Sequence, residues 1–449
     1  MSVLAIGASL LAAPVESGRA THTGTIDGAK YRVETPDRWN GTLLLFSHGY
    51  HPEGFPVGTI SLTNHPKTEK WLLDRGYALA AAQYKDGGYG YQTENAMTDQ
   101  LALLDWVEKR IGKPKRTVAA GQSMGAVAAT LLAERNPGRF AGAMNVCGNF
   151  DALGSLNAEL DVLFAVKTLL APGKDIDLVG AEDPDASAKA LADAVEAGTK
   201  TPEGRARLAL AGAFNNVSDW YSTHGPRPRK VAERIRQQAK WVMGSYAYGY
   251  GGPSGQADLA ARAGGNPASN TGVDYGRQLA QSAQKKLVKQ AYEAAGLSLR
   301  GDLKQLASAE RVAADPEAVA YLKRYGVPKG NLKVPMITAH NTGDGGTSTD
   351  QENWYAKQVR DPGNLRQVYV GRGSHCALSA AEEIVTLRTL LTRIDTGKWP
   401  TTKPSRMNAA AHAVGDGYQA PLDFLTGVDR AMLPAFTKHD PPRTLRPTG

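Results

Sequence analysis

Thr117-Val118-Ala119-Ala120-Gly121-Gln122-Ser123-Met124-Gly125 is the stretch on which the reading of the fold turns. Its first four residues form a short run without polar alternation, as in a strand buried on both faces. Residues 124–136 are rich in Ala and Leu and stop before Pro137, as a helix does. Between them stands Gly-x-Ser-x-Gly. On a tight strand-to-helix turn, glycines two before and two after the serine relieve crowding where the backbone is strained. Alone the pattern is weak in a chain holding 49 Gly. In this setting it makes Ser123 a candidate nucleophile.

Outward from this turn, other short apolar runs repeat the strand pattern. They are Thr42-Leu43-Leu44-Leu45-Phe46-Ser47, then residues 77–82, 141–146, 334–339 and 366–370. Helical stretches lie between them, such as 96–111 with Leu101, Leu104, Val107 and Ile111 at spacings of three and four. Strands alternating with helices predict an α/β protein with a mostly parallel sheet flanked by helices. The alternation fails between 151 and 330, where only helices are predicted (156–170, 186–197, 230–241, 278–295 and 316–325). That is too long for a loop, so it is expected to be a helical cap inserted before the acid-bearing strand. The expected plan is an N-terminal segment 1–23, a first catalytic part 24–150, the cap 151–330, a second catalytic part 331–396, and an irregular, Pro-rich extension 397–449.

Composition narrows the function. With 42% hydrophobic and 21% charged residues in 449, the chain is neither disordered nor collagen-like. Two cysteines exclude a disulfide scaffold and a Cys-rich zinc site. The formal charge of +8 is spread along the chain and carries no nucleic-acid motif, even at the basic run from Arg227 to Lys240. The apolar run 3–13 is shorter than the roughly 20 residues a membrane span needs. It is read as part of a secretory leader that lacks the usual basic start, so the protein is expected to be secreted or at the cell surface.

A serine hydroxyl needs a base and an orienting acid, here in the chain order Ser, Asp or Glu, His. His375 follows the last strand and precedes a helix, and is assigned as base. His340, which ends the strand before it, is assigned to structure. Asp344, in a glycine-rich turn after residues 334–339, is the preferred acid, with Asp151 and Asp350 as rivals; Asp350 suits the first turn of the helix carrying Trp354 and Tyr355. The oxyanion amides are assigned to Met124 and Tyr50, with Gly49 in reserve. His48 and His51 lack a shared helix face and a carboxylate cluster, so no metal is expected, and no cofactor. Tyr89, Tyr91, Tyr246 and Tyr248 are candidate substrate-binding residues; Tyr246, Tyr248 and Tyr250 can equally be packing.

Together these residues resemble the α/β-hydrolase superfamily: His48-Gly49 after a strand, Gly121 to Gly125 at the elbow, Asp344 and His375 after the late strands. The likeness is to capped bacterial esterases and aminopeptidase-like enzymes. It implies an eight-stranded sheet, an acyl-enzyme, and cleavage of a small-molecule or polymer ester, with a peptidase, amidase or acyltransferase as alternatives. His375-Cys376 also resembles tannases and feruloyl esterases, where a cysteine beside the histidine bonds to one just before the nucleophile. Here Gln122 occupies that place, and Cys147 is the nearest candidate partner, with two free thiols as the alternative.

Overall fold

Along Thr42–Ser47 every residue is buried. Leu43 and Leu45 enter one hydrophobic core, and Leu44 and Phe46 enter another. A strand whose alternate side chains are both apolar must be covered on both faces, and that requirement organises the molecule. The computed structural model describes residues 18–54, 58–424 and 426–449. The leader-like run 3–13 lies outside the described residues.

The strands are β1 (Ala20–Ile26), β2 (Ala29–Thr35), β3 (Thr42–Ser47), β4 (Ala78–Ala82), β5 (Arg116–Gln122), β6 (Gly142–Val146), β7 (Met336–Gly343), β8 (Leu365–Gly373) and β9 (Phe436–Thr437). They form one sheet in the order β1-β2-β4-β3-β5-β6-β7-β8-β9. Pairing is parallel from β4 through β8 and antiparallel at β1/β2, β2/β4 and β8/β9.

The helices are α1 (Pro66–Leu73), α2 (Thr93–Arg110), α3 (Met124–Arg135), α4 (Ala152–Leu170), α5 (Pro184–Gly198), α6 (Pro202–Ala213), α7 (Val231–Trp241), α8 (Pro253–Ala263), α9 (Tyr275–Gln281), α10 (Lys285–Ala295), α11 (Leu299–Ser308), α12 (Pro316–Gly326), α13 (Asp350–Gln358), α14 (Ala380–Thr396) and α15 (Pro404–His412). Helices α2 and α3 cover one face of the sheet together with the α4–α12 segment, while α1, α14 and α15 cover the other. Among the described residues, nine helices and no strand separate β6 from β7. Among the described residues no helix is long and apolar enough to cross a membrane.

The structure corrects four sequence expectations. The sheet has nine strands rather than eight, because Phe436 and Thr437 add to β8. The extension after residue 397 is therefore not irregular throughout, and it also carries α15. Residues 20–23 belong to β1, so the sheet begins inside the segment assigned to 1–23. The helix expected over 278–295 is two helices. Between them, the Ser282 hydroxyl and the Ala283 N–H both donate to Asn216 Oδ1.

One buried ion pair ties β8 to the helix after it. Arg372 on β8 donates to Glu382 on α14 (2.7 and 3.1 Å) and to the Ala377 carbonyl (2.7 Å). Glu382 also accepts from the Ser379 N–H, closing a capping box, and from the Ala435 N–H. Both side chains are buried. Arg372→Met should cost about 3–5 kcal/mol in urea unfolding, because it leaves Glu382 charged and without its cation. Arg372→Met combined with Glu382→Leu should cost less than the two single changes added together.

Candidate active site

Parallel strands deliver their carboxyl ends to one edge of the sheet, where loops from different parts of the chain meet. Ser123 stands between β5 and α3 with φ 53° and ψ −123°. A non-glycine residue held there costs about 1–3 kcal/mol and persists only where its surroundings enforce it. They do so here: the Ser123 N–H donates to the Val146 carbonyl on β6 (3.0 Å). A Cβ on Gly121 would strike the Gly125 carbonyl, and one on Gly125 would strike the Ser47 carbonyl. Both glycines of the motif are therefore required by backbone approach.

The structure brings Ser123, His375 and Asp344 together. Ser123 Oγ–H donates to His375 Nε2 (2.9 Å), and His375 Nδ1–H donates to Asp344 Oδ2 (2.7 Å). Asp344 is buried while His375 is partly exposed. The other carboxylate oxygen, Oδ1, accepts from the Gly346 and Thr347 N–H groups (2.9 and 3.0 Å). Burial opposes ionisation of Asp344, but the charges and hydrogen bonds of His375 and His340 outweigh it and hold its pKa at about 2. The rival acids are engaged elsewhere. Asp151 caps α4 through the Gly154 N–H and accepts from Thr448. Asp350 is buried at the start of α13, where burial and the charge of Asp151 push its pKa up to about 8.

The loop after β3 lies against the elbow. A Cβ on Gly49 would come within 3.1 Å of Ser123 Cβ, so this close approach suits glycine. Met124 opens α3 directly behind Ser123, and Tyr50 follows Gly49 with its ring 6.3 Å from that of Tyr250. His48 and His51 stack face to face, ring centroids 4.6 Å apart, and both His48 nitrogens sit within hydrogen-bond distance of backbone carbonyls.

Cys147, one residue past β6, and Cys376, beside the base, form a disulfide with Cα atoms 5.2 Å apart. The bridge pins the loop carrying His375, after β8, to the end of β6, across the intervening β7. With both sulfurs joined, the grouping of Cys147, His375 and Cys376 cannot act as thiolate ligands for a metal.

The candidate substrate tyrosines do not act as one set. Tyr246 is buried and its hydroxyl oxygen accepts from Asn215 Nδ2 (3.0 Å), so its place is in packing. Tyr248 is exposed. Tyr91 is buried with its ring 5.8 Å from that of Tyr250. Tyr89 offers its carbonyl to Gln92 and Arg262. Tyr250 bonds Asn149 and the Ala152 carbonyl.

Three contributors escaped the sequence reading. Trp220 lies where a Cβ on Gly343 or Gly373 would strike, and Trp241 where one on Gly345 would. The segment between β6 and β7 therefore presses directly on the loops carrying Asp344 and His375. The glycines at 343, 345 and 346 were the available signal. The third is Glu159 on α4, a mostly apolar helix that also carries Asp161. Glu159 is buried, and Ser155 Oγ–H donates to its Oε1 (3.2 Å).

Burial pushes the Glu159 carboxyl up to about 8 from an ordinary 4.5, against the hydrogen bonds of Ser155 and the Gly251 backbone. The folded protein thus keeps a proton that the unfolded chain releases above about 4.5. Stability is expected to fall as pH rises from about 4.5 to about 8. Glu159→Gln should remove that part of the slope, raising stability relative to the parent at pH 9 more than at pH 5 in urea unfolding.

Residues 50–202 match the family described as "Putative esterase". The o-phthalyl amidase of Xanthobacter agilis is 26% identical over 439 residues, covering 89% of this chain and 93% of that protein. Feruloyl esterase B from Aspergillus oryzae overlays with a TM-score of 0.43 at 13% identity, over 85% of this chain and 81% of that one. The acylaminoacyl peptidase of Pyrococcus horikoshii gives a TM-score of 0.36 at 9% identity, over 80% of this chain and 38% of that one. The sheet order, with a serine elbow at its centre, is that of an α/β-hydrolase-type fold, and the proteins the chain is similar to include an esterase family and an amidase.

Proposed function

We propose that the protein hydrolyses a carboxylic acyl bond through an acyl-enzyme on a Ser123–His375–Asp344 triad. The observation that carries this reading is the pair of hydrogen bonds in series, 2.9 Å from Oγ to Nε2 and 2.7 Å from Nδ1 to Oδ2. Ser123 Oγ attacks the acyl carbon while His375 Nε2 takes its proton. Asp344 fixes the tautomer that leaves Nε2 free to accept, and stabilises the imidazolium that forms. The amides of Tyr50 and Met124 receive the oxyanion, each donor supplying ~3 kcal/mol. His375 then protonates the leaving group, and water repeats the sequence on the acyl-enzyme.

Two leaving groups have separate support. An ester is favoured by the family matched over residues 50–202. An amide is favoured by the amidase relative, whose likeness extends along most of both chains. The segment 151–330 is proposed to cover the site and select the acyl group. The bonded cysteines fit an oxidising compartment, and the leader-like run 3–13 suits export, so we place the protein outside the cytoplasm.

Parent and Ser123→Ala protein should be compared on p-nitrophenyl esters of varied chain length and on N-phthalyl amides. Turnover should fall on the order of 10⁶-fold in the variant, and a fluorophosphonate probe should label the parent at Ser123. Faster cleavage of the amides would overturn the ester reading in favour of the amidase. A folded parent that the probe does not label would overturn both.

Asp344→Asn should lower kcat by ~10⁴ by stabilising the wrong tautomer. Cys147→Ser should cost ~2–4 kcal/mol of stability in denaturant unfolding.

A further inference from the structure

Beneath Asp344 lies a second histidine that the proposed reaction does not touch. His340 sits on β7, four residues before the acid, and is fully buried. Its Nε2 is 2.9 Å from the Thr347 carbonyl oxygen and 3.6 Å from Asp344 Oδ2. Its Nδ1 is 3.1 Å from Glu352 Oε1 on α13. A peptide carbonyl can only accept, so Nε2 carries a hydrogen. On the other side, Glu352 Oε2 accepts from the Thr338 hydroxyl and the Gln367 amide, both at 2.6 Å. A carboxyl group that gathers donors on one oxygen is arranged as an acceptor on the other as well. A neutral imidazole has a single N–H, whereas this ring faces acceptors at both nitrogens.

We propose that His340 is a doubly protonated imidazolium that positions Asp344 and reduces the negative charge of the buried site. This inference rests on Asp344 being the acid of the triad. Thr347 links the two roles: its N–H donates to Asp344 Oδ1, and its carbonyl accepts from His340. The ring therefore fixes the turn that presents the acid. With His340 charged, Asp344 and Glu352 leave a net charge of −2 + 1 = −1 around the site. That balances one imidazolium at His375 when the base takes its proton. Without the ring's charge, two carboxylates would share a desolvated pocket, an arrangement that drives one of them to take up a proton.

The other groups facing His340 agree. Asp350, on α13, has its carboxyl raised by burial and by Asp151. His439, on the C-terminal segment, is held below its ordinary value by burial and by the charge of His340; its Nε2 lies 2.9 Å from Thr349 Oγ1. Tyr369, the β8 residue paired with His340, is pushed up by burial and by Glu352. For His340 itself burial opposes the charge, and the hydrogen bonds and charges of Asp344 and Glu352 outweigh it, raising its pKa to about 10.

The test uses the full-length protein with ¹⁵N-labelled histidine, with the His340 signals assigned by their loss in His340→Gln. Two imidazole N–H signals on His340 persisting from pH 7 to 9 are expected. A single N–H at pH 7 would overturn the proposal, the ring then being neutral with the proton on Glu352. In His340→Gln, the acid limb of kcat/KM against pH should move upward by about half a unit or more. Removing a cation beside Asp344 leaves a more negative field on His375, which then holds its proton to higher pH. Rates are taken per active site titrated with a fluorophosphonate, so loss of folded protein does not mimic the shift. An acid limb that stays in place at a normal active-site titre would also overturn the positioning role. Should His340→Gln not fold, the N–H count in the parent, assigned by through-bond correlation, decides the charge. Failure of the probe to label Ser123 in the parent would defeat the triad reading instead, with the charge on His340 still decided by the N–H count.

Discussion

A carboxylate removed from water needs donors on every side, and the loops at the carboxyl edge of the sheet are arranged to supply them to Asp344. Two backbone amides serve one of its oxygens and His375 serves the other. Where the chain turns after β7 so that those amides converge, the glycines at 345 and 346 leave room for Trp241 and His375. Trp241 closes the same turn from outside, in the space a side chain on Gly345 would need. The helical segment between β6 and β7 is thus more than a cover, because it supplies a wall against which the acid loop is set. A disulfide and a buried arginine–glutamate pair constrain the base from the opposite side.

Much of this was legible in the sequence because parallel strands leave a one-dimensional trace. β3 and β5 are continuous apolar runs, and the residues that follow such runs are delivered to one edge whatever the rest of the chain does. Among the residues so delivered, the Gly-x-Ser-x-Gly motif and the chain order Ser, Asp, His singled out Ser123, Asp344 and His375. The hairpin β1/β2 left no such trace. β1 has exposed and half-buried residues throughout, so it lacks the apolar signal of a central strand. Helix α6 was missed for the opposite reason, since burial of nearly its whole length from Ala206 onward removes the polar stripe that marks an amphipathic helix.

The break between α9 and α10 was illegible for a third reason. The donors at Ser282 and Ala283 meet Asn216, more than sixty residues earlier, and no local pattern announces such a pairing. His340 and Glu352 pose the same difficulty, one on a strand and the other on the following helix. A lone buried histidine has a bland explanation until its neighbours are known. The likeness to feruloyl esterases puts a cysteine just before the nucleophile. With Gln122 there, Cys147 is the candidate partner, and the bond is made there, at the end of the strand next to that of the nucleophile.

The disulfide also sets the topology of the molecule. Its half-cystines are 229 residues apart in sequence, and the ring they close contains the whole helical insertion, the acid and the base, while the nucleophile lies outside it. A protease cut anywhere between residues 147 and 376 would therefore leave the two pieces in one covalent molecule. Such a nicked chain would run as a single species on a gel until reduced. The insertion is free to be revised, or cut, without separating the strand behind the nucleophile from the loop of its base.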